Sequence, residues 1–233
     1  MATGRYLAIR SAEFDQNPVL PPKCGWMVSP FSPEWQTPPD LSPSSLLILT
    51  DEQIPVNADW EQILQSVRAM GCAGVVLDFQ KPKTGDTAAF AARLAQDLPC
   101  PVAVSEAYAA SLPCPVFLSP CPHHVPLQEH LAPWAGREIW LDLAVDAEII
   151  TLTAEGAVIA PVVPEESPPL CHREERLHCH YSIETGEDFA RFTLWRTKED
   201  VDNLQLAAEA LGVHTFVGLR QELGEAWSVE LGT

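Results

Sequence analysis

Six short, almost unbroken apolar runs constrain this chain most: residues 46–49 (LLIL), 74–77 (GVVL), 101–104 (PVAV), 115–118 (PVFL), 139–141 (IWL) and 215–219 (TFVGL). Runs of this length without polar alternation suit strands buried on both faces, as in a parallel sheet. Helical patterns separate several of them. Residues 59–70 place Trp60, Ile63, Leu64 and Val67 on one face, with Asp59 as N-cap and Gly71 as C-cap. Residues 87–98 carry Phe90, Leu94 and Leu98 on one stripe; residues 198–211 carry Val201, Leu204, Ala208 and Leu211 and close with Gly212. Strand and helix in alternation imply right-handed βαβ units.

Two stretches break the alternation. Residues 148–161 read as a hairpin, 149–153 with 157–160, turning at Glu155-Gly156. Residues 178–195 read as a second, turning at Thr185-Gly186. The 22 prolines cluster between elements and mark their boundaries, and no cluster has the length of an interdomain linker. The expected architecture is α/β: one domain over residues 1–233, a small (β/α)8 TIM-barrel-like fold. With 233 residues it is at the short end for such a barrel, so some helices are trimmed to loops, and one or two β-hairpins are inserted.

A hydrophobic share of 46% supports a packed core. Against 14 basic residues stand 32 acidic ones, a net charge of -18. Such a surface repels phosphate backbones and anionic lipid, so nucleic acid and membranes are excluded as partners. The seven cysteines are odd in number, and no two stand as CxxC, which fits reduced thiols in a cytoplasmic protein. No secretory signal or membrane-spanning run is visible. No P-loop, G-x-G-x-x-G or G-x-S-x-G occurs, so no nucleotide cofactor or serine-hydrolase elbow is expected. His123, His124 and His130 form one histidine group; on a strand, His178 and His180 would face one side and Cys179 the other. The spacings match no zinc signature, so no metal is assigned.

Several apolar runs end in polar residues: Thr50-Asp51-Glu52, Asp78, Ser105-Glu106, Ser119 and Asp142. Barrel enzymes place their chemistry at the C-terminal ends of their strands. Asp78, Glu106 and Asp142 are therefore the candidate catalytic carboxylates, with Tyr108 beside them, because two carboxyl groups at a suitable separation can cleave a glycosidic bond.

Two segments carry a resemblance. Residues 71–80 (GCAGVVLDFQ) follow the helix at 59–70; Gly74, Asp78 and Phe79 match a glycine, an aspartate and an aromatic spacer in the outline D-G-x-D-x-D-x-E. Residues 181–224 supply Tyr181, the run 192–195, the helix at 198–211, Gly212, Gly218 and Leu223-Gly224. Together they cover about a quarter of the chain and resemble the family 18 glycoside hydrolases, the second segment the bacterial spore-associated branch. In that family the motif glutamate protonates the glycosidic oxygen while the substrate's own N-acetyl group attacks the sugar. Here Gln80 stands at the glutamate position, Val76 at that of a neighbouring aspartate, and Gln221 at that of the last-strand tryptophan. An amide cannot act as a general acid near neutral pH.

The resemblance thus implies a non-catalytic barrel holding a carbohydrate or peptidoglycan fragment at its C-terminal rim. Its expected ligand-binding residues are Asp78, Gln80, Glu106, Tyr108, Asp142, Tyr181 and Gln221. Two other readings stand beside it. One is an active glycoside hydrolase using Asp78 with Glu106 or Asp142. The other is a protein-interaction scaffold, which requires an exposed apolar patch away from the rim.

Overall fold

The computed structural model describes residues 4–11, 20–21, 23–30, 41–52, 59–162 and 171–228. In chain order its strands are β1 (Gly4–Arg10), β2 (Cys24–Val28), β3 (Leu46–Thr50), β4 (Gly74–Asp78), β5 (Val102–Ser105), β6 (Val116–Leu118), β7 (Ile139–Leu143), β8 (Ala147–Thr153), β9 (Gly156–Val162), β10 (His172–Glu174), β11 (Cys179–Thr185), β12 (Phe189–Trp195) and β13 (Thr215–Leu219). The helices are α1 (Trp60–Met70), α2 (Gly85–Asp97), α3 (Glu106–Ala109), α4 (Leu127–Leu131), α5 (Lys198–Ala210) and α6 (Arg220–Leu223). None of the described helices is long and apolar enough to cross a membrane.

The described residues form two compact units: one of residues up to 119, 136–142 and from 214 onward, the other of 120–135 and 143–213. In the first, β1 to β7 and β13 close a ring of parallel strands, β13 pairing with β1 on one side and standing next to β7 on the other. This is the α/β barrel expected from the apolar runs. The trimmed helical layer is also present: α3 and α6 have 4 residues each, where α1 and α2 have 11 and 13.

The ring is filled by its own side chains. Ala8, Leu46, Ile48, Val76, Ala103, Phe117, Trp140 and Val217 pack together inside it, and each comes from the inward-facing set of its strand. Removing such a side chain from water contributes roughly 2 kcal/mol for the larger ones. Gly74 makes room for the largest: a Cβ built there would lie 2.7 Å from Trp140 Cη2. The indole N–H of Trp140 donates to Glu138 at 2.8 Å, so the ring is buried without stranding its polar atom.

The helix ends follow local chemistry. Asp59 accepts the Gln62 N–H at 3.0 Å, and α1 stops at Gly71 with φ +64°, a left-handed position that glycine takes without strain. Ile63, Leu64 and Val67 are its buried face. Helix α2 starts two residues earlier than its apolar stripe suggests, because Thr84 caps it reciprocally with Thr87.

In the second unit the two expected hairpins are parts of one five-stranded antiparallel sheet, ordered β10-β11-β12-β8-β9. They join along β8 and β12, paired from Thr153↔Phe189 to Ala147↔Trp195. The β8–β9 turn falls at residues 154–155, and Gly156, with φ +135°, already begins β9. Arg196 ties this unit together. Its buried guanidinium donates to the carbonyls of Cys121 (2.5 Å), His178 (3.3 Å), Leu177 (3.3 Å) and Pro122 (3.5 Å). His178 itself lies in the turn before β11 with φ +48°, so it does not share a strand face with His180. His180 instead bonds Asp200 at 2.9 Å and stacks on Trp195.

Candidate functional site

The ring brings one group of residues to the C-terminal end of β4. Val76 faces the barrel interior, so Asp78, two residues on, continues the same side toward the mouth, and Gln80 follows two residues past the end of the strand. Thr50 at the end of β3 is level with Asp78. Phe79, on the opposite side, is buried against Phe90 and edge-on to Tyr108.

The backbone beyond β4 is pinned from below. Asp51, 4% exposed, accepts the N–H of Gln80 at 3.1 Å and of Lys81 at 2.8 Å. Lys81 reaches back to the Glu52 carbonyl at 2.6 Å, and the Ser105 hydroxyl donates to the Phe79 carbonyl at 2.9 Å. The exposed Gln80 side chain is held in turn, since its amide N–H donates to Asp78 Oδ1. Burial pushes the Asp78 carboxyl above its ordinary value; the Gln80 bond opposes that shift, and the charges of Asp51 and Glu52 add to it.

The other sequence candidates separate. Asp142 shares the inward side of β7 with Trp140 and is half-buried at that strand's end, so Asp78 and Asp142 both belong to the mouth of the ring. Glu106 opens the single turn α3 and is exposed. Gln221 is exposed on the single turn α6, directly after β13. Tyr108 is 1% exposed, and its hydroxyl donates to Thr87 at 2.8 Å, so it packs beneath the rim and offers no surface to a ligand. Tyr181 is on β11 of the antiparallel sheet, its ring tilted against that of His172, and is not part of any barrel strand. Residues 12–19, 31–40 and 53–58, which come after β1, β2 and β3 in the chain, lie outside the described residues.

Among the described residues no group of three or more His, Cys, Asp or Glu could hold a metal ion. Asp51 was visible in sequence only as one of several polar strand ends; that it buttresses the Gln80 backbone is a feature of the structure. Chemically, the site offers a carboxyl with raised proton affinity, an amide bonded to it, and a backbone segment fixed in place.

No family model matches the sequence, and no curated protein matches it. Solved structures do. A chitinase from Chromobacterium violaceum superposes with a TM-score of 0.56 at 9% identity, covering 97% of both chains. A GH18 chitinase from Cycas revoluta in complex with (GlcNAc)3 gives 0.54 at 11%, covering 92% of this chain and 94% of that one. The spore cortex-lytic enzyme SleL of Bacillus megaterium gives 0.52 at 9%, covering 93% of this chain and 70% of that one. At such identities the likeness is one of fold, and in fold the chain is a chitinase-like TIM barrel.

Proposed function

We propose that the chain is a non-catalytic chitinase-like barrel that binds an oligosaccharide of N-acetylated sugars at the C-terminal mouth of its ring. The observation that carries this reading is Gln80. It stands at the position of the motif's proton donor, its amide is bonded to Asp78, and Asp51 fixes its backbone. An amide has no proton to give a leaving oxygen, and a positioned general acid contributes about 10²–10⁴ to the rate. Hydrogen bonding to a sugar survives the exchange. A double variant of the Cycas revoluta chitinase, one of whose substitutions turns a glutamate into glutamine, is solved with (GlcNAc)4 bound, which supports carbohydrate binding by such a barrel.

The raised proton affinity of Asp78 favours the rival reading, an active hydrolase using Asp78 with Asp142 or Glu106. One set of measurements separates the two. Wild type and Gln80→Glu are assayed on chromogenic N-acetylglucosaminides and titrated calorimetrically with (GlcNAc)4. The expected result is binding by wild type with no turnover, and turnover gained by Gln80→Glu. Turnover by wild type overturns the non-catalytic reading, and absence of any binding heat or signal overturns the carbohydrate one.

A further inference from the structure

The antiparallel sheet ends in the edge strand β9. Every residue of β9 from Gly156 to Pro161 is exposed, and among the described residues no strand pairs with its outer side. Its side chains are Ala157, Val158, Ile159, Ala160, Pro161 and Val162, with no charge among them, in a chain of net charge -18. Val158 is 66% exposed and Ile159 49%; on the face that carries Ile159, Leu152 and Ile183 are 41% and 51% exposed. The apolar surface is continuous, because Ile159 pairs with Ile150, Ile150 with Phe192, and Phe192 with Ile183, all on one face. A hollow of about 420 Å³ opens in that face among Ile150, Leu152, Tyr181, Ile183, Phe192 and Leu194.

Free edges with unbonded N–H and C=O groups invite another strand, and soluble proteins usually guard them with lysine, a bulge or proline. Here Pro161 is the one such guard in β9. We infer that β9 is a dimerisation strand, pairing antiparallel with the β9 of a second copy of this chain to continue the sheet across ten strands.

The strand's own sequence selects that occupant. Turned antiparallel about Ile159, β9 sets Ile159 against Ile159, Val158 against Ala160, Ala157 against Pro161 and Gly156 against Val162. Every cross-strand pair is then apolar, so the strand is complementary to itself across a two-fold axis. A strongly charged partner would find no opposite charge on this edge. Two copies of an acidic chain repel, and they repel least where they meet through an uncharged strand. Salt screens that repulsion, so association should strengthen as ionic strength rises, the reverse of an interface made by opposite charges.

Sedimentation velocity of the full chain across the micromolar range, at low and high sodium chloride, tests the inference. The expected result is a monomer–dimer equilibrium that shifts toward dimer with salt. Ile159→Lys places like charges face to face and should weaken the dimer about ten-fold or more, with an unchanged circular dichroism spectrum. Leu206→Lys, at an equally exposed position on α5, should leave it intact. A monomer at every concentration and salt overturns the proposal. So does a dimer that survives Ile159→Lys, or one that Leu206→Lys dissociates equally.

Discussion

Asp78 is under opposing pressures. Burial disfavours its charge, and Gln80 supplies one hydrogen bond in compensation. Because its proton affinity is raised in the folded protein, its stabilising contribution is complete below the ordinary carboxylate range. That contribution is lost as pH rises through the window between the ordinary value, 3.8, and the raised one. Asp78→Asn removes the charge and keeps a hydrogen-bonding group. The variant should therefore melt higher than wild type at neutral pH and lose its advantage near pH 4. Thermal unfolding against pH measures this, and an advantage independent of pH would refute it. Asp200 behaves in the opposite sense: burial pushes its carboxyl up, but the N–H and hydroxyl of Thr197 and the ring of His180 together hold it below the ordinary value. At this scale the sequence was legible where a strand's alternation could be extended. Counting by twos from Val76 leads to Asp78 and Gln80. Nothing local reveals that Tyr108 points under the rim, that Tyr181 belongs to another sheet, or that Arg196 spends its donors on backbone carbonyls, because those facts depend on partners distant in the chain.

Among elements, β3 to β7 and β13 were legible because strands covered on both faces read as unbroken apolar runs. Strands β1 and β2 were not. Arg5, Tyr6 and Arg10 interrupt the pattern of the first, and Cys24, Gly25 and Met27 give the second few residues of high strand propensity. Both hairpins were visible from their turns, whereas the β8–β12 pairing that merges them links segments with no local signal. The barrel floor offers a test of packing. In Gly74→Ala the new methyl would lie 2.7 Å from Trp140, 3.1 Å from Leu46 and 3.3 Å from the Pro101 carbonyl. Overpacking of this kind costs about 1–3 kcal/mol. Urea unfolding should show that loss, and Trp140→Phe should cost less in the Gly74→Ala background than in wild type, since the two side chains compete for one space. Strictly additive costs would show that they do not.

Across the whole molecule, all seven cysteines are free, and their reactivity should map the fold. Burial pushes the thiols of Cys121 and Cys179 up to about 11 and that of Cys72, aided by the neighbouring Cys100, to about 11 as well. At pH 8 a thiol of that kind is thiolate in only about one molecule in a thousand. Alkylation of the native protein followed by peptide mass mapping should mark the exposed Cys171 first and leave Cys121 and Cys179 unmodified until denaturant is added. Early labelling of either buried thiol would contradict the packing described for the second unit. The pairing of β1 with β13, from Gly4↔Thr215 to Ala8↔Leu219, joins segments more than two hundred positions apart, and Arg5 reaches the Trp227 carbonyl at 3.4 Å. A nascent chain leaving the ribosome would therefore hold seven ring strands and the entire intervening sheet before the eighth could dock. Until that moment both flanks of an arc rich in valine and leucine stand open, so the interval before closure is when the chain is most exposed to aggregation.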